Sequence, residues 1–133
     1  MSKHYTIAIL GAGPGGYIAA LKAAQMGARV VLVEKDHLGG TCLNNGCIPS
    51  KAILGSAELM HRIQHAAAMG LEVPAGTVAN WGKIQARKDK ILQTLRAGIK
   101  GLLGARKATV LLGRATLAGA GRVVVSGAAG VLE

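Results

Sequence analysis

Short β-rich apolar runs are separated along this chain by longer stretches whose apolar residues recur at helical spacing. Tyr5-Thr6-Ile7-Ala8-Ile9-Leu10 is the first such run and reads as a buried parallel strand. It gives way to Gly11-Ala12-Gly13-Pro14-Gly15-Gly16, and the pattern from Gly15 to Met26 is helical, with Gly27 placed to cap it. Ala28-Arg29-Val30-Val31-Leu32-Val33 is a second buried strand that ends at Glu34. Helical spacing resumes from Ile48 to about Met69, with Gly70 as its stop. Leu71 to Trp81, containing Pro74 and Gly76, reads as a loop. Gly82 to Leu103 is a second long helix capped by Gly104, with Ile84, Ile91, Leu95, Ile99 and Leu102 as its apolar side. Ala108 to Gly113 reads as a strand. Ala115-Thr116-Leu117 and Arg122 to Ser126 read as a hairpin around Gly119-Ala120-Gly121, and a glycine-rich turn follows. The order strand, helix, strand, helices, strand, hairpin predicts an α/β fold built on a parallel sheet.

The first turn of that fold carries chemistry. Gly11, Gly13 and Gly16 have the spacing G-x-G-x-x-G between a strand and a helix. Gly11 allows the tight turn, Gly13 lets backbone approach a pyrophosphate, and Gly16 lets helix and strand pack closely. The exposed N–H groups and the helix dipole favour phosphate charge. Glu34, at the end of the second strand, is placed to accept hydrogen bonds from a ribose diol. The fingerprint predicts dinucleotide binding without separating FAD from NAD.

The second chemical stretch is Gly39-Gly40-Thr41-Cys42-Leu43-Asn44-Asn45-Gly46-Cys47-Ile48-Pro49-Ser50-Lys51, which holds both cysteines of the chain. A disulfide over so short a loop stabilises folding by only about 2 kcal/mol, so stapling is a weak reason for it. Pro49 fits a first helical turn, which would place Cys47 at the positive end of a helix, where a thiolate is favoured. Two buried structural thiols are the bland alternative. A zinc site lacks a cluster of further ligands at usual spacing. His61 and His65 stand four apart on the predicted helix, without an evident third ligand, and read as solvated histidines.

Composition narrows the rest. Half of the 133 residues are apolar, with no Phe, one Trp and two Tyr, and Gly numbers 20. Such a mix suits close helix-on-sheet packing in one domain. No apolar run reaches the roughly 20 residues of a membrane span, and no signal-peptide pattern opens the sequence, so a cytoplasmic location is expected. In that compartment a disulfide is more often catalytic than structural. The formal net charge is +10. Eight of the cations fall between Lys83 and Lys107, against the single acid Asp89. Without stacking aromatics or a recognition signature among them, they read as the solvated side of an amphipathic helix or a surface for acidic polypeptide, rather than a nucleic-acid site.

The glycine turn with Glu34, followed by Gly39 to Lys51, resembles the flavin-dependent pyridine nucleotide–disulfide oxidoreductases. The Cys-Ile-Pro-Ser-Lys ending is most similar to the dihydrolipoamide dehydrogenase branch, and mercuric and glutathione reductases carry related stretches. The resemblance covers essentially all 133 residues, with Asn45 standing where a small aliphatic residue is usual. It implies residues 1–133 of a Rossmann-like FAD-binding domain, in which Gly11, Gly13, Gly16 and Glu34 hold the adenylate half of FAD. It also implies that Gly40 and Thr41 lie along the pyrophosphate, Lys51 approaches the isoalloxazine and the backbone at Ala115 contacts adenine. Cys42 would exchange with substrate and Cys47 would face the flavin, so that electrons pass from dihydrolipoamide to FAD and then to NAD+.

A family chain is several times longer. The resemblance therefore implies that the NAD-binding fold, the homodimer-forming domain and a late His–Glu general base lie outside these residues. Its partner would be the lipoyl carrier domain of a 2-oxo acid dehydrogenase complex. The 133 residues alone are expected not to complete a turnover. A non-enzymatic nucleotide- or thiol-binding remnant is the competing class.

Overall fold

The computed structural model describes residues 3–127. Three parallel strands, β1 (Ile7–Leu10), β2 (Val30–Glu34) and β3 (Thr109–Leu112), form a sheet in the order β1-β2-β3. Register pairs Ile7 with Val30 and Glu34 with Leu112. Between β1 and β2 runs α1 (Pro14–Gln25). Between β2 and β3 come α2 (Gly40–Asn45), α3 (Cys47–Gln64) and α4 (Trp81–Ala105). The chain then forms an antiparallel hairpin of β4 (Arg114–Leu117) and β5 (Val123–Ser126). The α/β architecture expected from the pattern is present, and among the described residues no helix is long and apolar enough to cross a membrane.

The central strand β2 organises both layers because successive side chains point to opposite faces. Val30 and Leu32 enter a core with Ala12, Ala20, Leu92, Ile99 and Leu103 on the helix side. Val31 and Val33 pack with Val125 of the hairpin on the other. Glu34 shares the parity of Val30 and Leu32, which turns its carboxylate towards the helix layer.

Four sequence expectations need correction. β1 is parallel as expected but not buried: it has one neighbour, β2, and Ile7 and Leu10 are 40% and 44% exposed. On α4 the buried residues are Leu92, Ile99 and Leu103, whereas Leu95 and Leu102 are exposed, so the helix is rotated from the stripe read off the sequence. Gly104 does not cap α4. The helix runs on to Ala105, and Lys107 takes the left-handed conformation at φ 57°. The Ala108 N–H donates to the Leu103 carbonyl (3.0 Å) and the Lys107 N–H to that of Gly104 (2.9 Å), a Schellman ending. Packing explains the extra turn, because Leu103 is fully buried and Ala108 joins the same core. A lysine in that conformation costs about 1 kcal/mol, so Lys107→Gly is expected to raise the Tm by about 3–5 °C in thermal unfolding. Gly27 ends α1 as expected, at φ 88°. Gly70 closes a 3-10 turn (Ala66–Met69) that replaces the last stretch of the long helix read from Ile48.

Candidate active site

The first glycine turn is formed by bare backbone. Gly11 has φ 97°, a conformation that L side chains rarely adopt. A Cβ on Gly16 would lie 1.9 Å from the Gly11 carbonyl oxygen, so helix and strand touch there with nothing between them. Gly13 caps α1 without a side-chain hydrogen bond, which leaves first-turn N–H groups of a twelve-residue helix directed outwards. Above them is room: a Cβ on Gly15 would meet nothing within 4 Å. Gly40, at φ 60°, approaches so closely that its Cβ would sit 2.6 Å from the Gly13 Cα. The Gly39 N–H donates to the Ala12 carbonyl at 2.8 Å and ties the two glycine turns together.

Glu34 is 8% exposed and completes this cradle. Its Oε2 accepts from the Ala12 N–H at 2.7 Å and its Oε1 from the Asp36 N–H at 3.0 Å. A carboxylate offers about four lone-pair sites, so about two remain open on Glu34. The Gly113 N–H donates to the Glu34 carbonyl at 2.8 Å, which starts β4 beside the carboxyl end of β2. Ala115 stands two residues further on, packed against the Val31, Val33 and Val125 cluster on the hairpin side of the sheet.

Cys42 lies on α2, a short helix that the sequence reading did not resolve, and half-buried. Cys47 is the first residue of α3 and is exposed, with Pro49 in the first turn as expected. Gly46 joins the two helices. A Cβ there would meet the Thr41 carbonyl oxygen at 3.2 Å and the Cys42 Cα at 3.5 Å, so its smallness lets α2 and α3 join closely at this point. The Ser50 Oγ donates to the Gly46 carbonyl at 2.7 Å and fixes the junction. Both cysteines are free thiols. The thiol of Cys42 is held above the usual 9.0 by its hydrogen bond to Cys47 and then by desolvation, while the Lys51 charge acts in the opposite sense. Alkylation of Cys42, mapped by mass spectrometry against pH, is therefore expected to have its midpoint above 9.0. In C47A the midpoint falls, because the leading cause is gone.

Beside the pair is an apolar cavity of about 210 Å3, lined by Cys42, Tyr17, Leu43, Ile48, Leu95 and Ile99. Thus Gly11, Gly13, Gly16, Glu34 and Gly40 gather at one turn, and Thr41, Cys42 and Cys47 follow directly. The Lys51 charge reaches Cys42, and Ala115 stands on the other layer. On α3, His61 and His65 stack with ring centroids 4.2 Å apart, and a ring nitrogen of His65 is 2.8 Å from the His61 carbonyl. Three contributors escaped sequence reasoning: Gly46, Asn44 and Arg96. The Asn44 Nδ2 donates to the Gly40 carbonyl at 2.8 Å, and the Arg96 Nε donates to the Asn44 Oδ1 at 2.6 Å.

Residues 5–129 match the pyridine nucleotide-disulphide oxidoreductase family. Among curated relatives, the chain is 42% identical to a dihydrolipoyl dehydrogenase of Bacillus subtilis over 123 residues, 92% of this chain and 27% of the relative. It is 42% identical to that of Chlamydia trachomatis over 127 residues, 96% of this chain and 27% of the relative. Identity to the Acholeplasma laidlawii protein of that name is 44% over 127 residues, 96% and 38%. The chain spans about a quarter of the length of most of these relatives.

Proposed function

The chain belongs to the pyridine nucleotide-disulphide oxidoreductase family, and from that membership we propose that it is the flavin- and dithiol-bearing part of a dihydrolipoyl dehydrogenase. The observation that carries this reading is the placement of Cys42 on α2 and Cys47 at the start of α3, joined through Gly46 and directly after a cradle made of bare backbone. The cradle suits FAD: Gly13, Gly16 and Gly40 leave no side chain between the α1 N-terminus and a pyrophosphate, and Glu34 has acceptor capacity left for ribose. Thr41 would flank the pyrophosphate, Lys51 the isoalloxazine, and the backbone at Ala115 the adenine.

The thiol chemistry belongs to the chain's own residues. In the oxidised pair, a dihydrolipoyl thiolate attacks the Sγ of Cys42, the Cys42–Cys47 bond breaks, and Cys47 leaves as a thiolate. The second substrate thiolate then attacks its own sulfur in the mixed disulfide and releases Cys42. Two electrons and two protons have passed from substrate to the pair, and the substrate leaves as a cyclic disulfide. The apolar cavity beside Cys42 suits an aliphatic dithiol. When bound, FAD supplies the two-electron acceptor for the reduced pair and the hydride donor for NAD+. In the longer protein, a homodimer would receive the lipoyl arm of a carrier domain.

The test is spectroscopic. The chain mixed with FAD is expected to hold a yellow absorption band through gel filtration, and dihydrolipoamide under anaerobic conditions bleaches it in the parent but not in C42S. Colourless protein indifferent to added FAD would overturn the reading and favour a non-enzymatic module. For the 133 residues alone we expect no NADH formation from dihydrolipoamide and NAD+ above a no-protein control. Among the described residues, β1–α1 is the one unit in which a strand passes through a G-x-G-x-x-G turn into a helix.

A further inference from the structure

Arg96 is a cation of α4 that reaches the segment between the two cysteines. Its helical neighbours four before, three after and seven after are Leu92, Ile99 and Leu103, all buried, which puts its stem on the core side of the helix. A guanidinium there is costly unless its donors are used. Among the described residues no carboxylate pairs with it. Its Nε instead donates to the Asn44 Oδ1 at 2.6 Å, a charge-assisted bond across 52 residues of sequence.

That bond decides which way the Asn44 amide faces. With Oδ1 turned to Arg96, Nδ2 is turned to the carbonyls of Gly40 (2.8 Å), Leu38 (3.1 Å) and His37 (3.4 Å). Two N–H groups serve three acceptors, so Gly40 and Leu38 take the direct bonds. These carbonyls belong to the turn that leads into α2, where Gly40 sits against Gly13. Asn44 itself lies between the two cysteines. It therefore fastens the segment carrying Cys42 to the turn before it, and Arg96 fastens Asn44 to α4.

We propose that Arg96 is a positioning residue for the thiol pair: acting through Asn44, it holds the α2 turn so that Cys42 is presented to Cys47 for ring closure. The action is geometric. Lys51 is the cation whose charge bears on Cys42, and Arg96 is not among the groups that act on it. The proposal rests on the redox reading of the pair and adds what sets its closure.

The chain is equilibrated in buffers of reduced and oxidised glutathione, quenched with acid, and its closed fraction is counted by mass spectrometry. Closure forms the Cys42–Cys47 bond, reduces one glutathione disulfide to two thiols and conserves protons. R96M and N44A are each expected to lower the closure constant about tenfold, as loss of one charge-assisted hydrogen bond would. The double variant should be no worse than the more severe single, because both remove the same link. R96K, which keeps a donor for Oδ1, recovers most of the loss. K100M, which removes an exposed charge from the same helix, leaves closure unchanged. Should R96M not fold by circular dichroism, N44D decides: it keeps an acceptor for Arg96 but lacks the donors to Leu38 and Gly40, and closure must fall. Parent-like closure in R96M or N44D, or losses that multiply in the double variant, overturns the proposal alone. A parent pair that never closes overturns the redox reading, and this proposal with it.

Discussion

C47S is expected to trap Cys42 as a mixed disulfide instead of releasing it. Treated with a small disulfide reagent, the parent passes through an adduct on one cysteine that the other resolves, ending with no reagent bound and no free thiol. Without Cys47 the adduct persists, visible as a stable mass increase of one reagent group per chain. The effect is large because the two sulfurs act as one unit: removing either abolishes intramolecular closure outright. Dithiol-dependent bleaching of bound flavin should fall roughly a thousandfold or more. Stability should barely move. Closing so short a loop contributes about 2 kcal/mol at most, and both cysteines are free thiols in this structure. A C47S chain that releases its adduct at the parental rate would show that Cys47 is not the resolving thiol.

The contrast between Cys47 and Arg96 marks what the sequence makes legible. Cys47 is read from neighbours: a glycine before it, Pro49 after it, and the helix that Pro49 starts. Glu34 is read the same way, because the period of two along Val30 to Glu34 fixes the face its carboxylate takes. Arg96 depends on a partner 52 residues away, and its charge placed it with the solvated cations of α4. Arg87 is on the exposed side as expected, and its Nη1 also donates to the Ala52 carbonyl of α3 at 2.9 Å. Tertiary position also overruled local pattern in β1, whose apolar run suggests burial but whose place at the sheet edge exposes Ile7 and Leu10. α2 was missed because two glycines open it and six residues carry too little periodicity to declare a helix. Local chemistry was legible, then, and inter-element contacts were not.

Gly16→Ala is the substitution expected to damage the proposed cradle most. Gly16 lies in the third position of α1, and its missing side chain is aimed at the preceding turn. A Cβ would be 1.9 Å from the carbonyl oxygen and 3.0 Å from the carbonyl carbon of Gly11, with the Ile9 Cγ2 at 3.6 Å. Two of those three atoms are backbone and cannot swing aside as a side-chain tip would. Relief requires moving α1 from β1 or unwinding the turn, and Gly11 is itself anchored by its N–H donating to the Val33 carbonyl at 2.7 Å. The cost should reach about 4 kcal/mol, the upper end for a single substitution and a large share of a domain's usual 5–15 kcal/mol. Gly55→Ala serves as the control: it lies inside α3 with nothing within 4 Å of the added Cβ, so helix propensity alone should stabilise it by about 0.5–1 kcal/mol. Urea unfolding separates the two in sign. Flavin retention on gel filtration then reports the cradle itself, because the displaced turn carries the N–H groups that would meet the pyrophosphate. A Gly16→Ala chain that unfolds at the parental urea midpoint and retains flavin as the parent does would mean that helix and strand do not touch at this point.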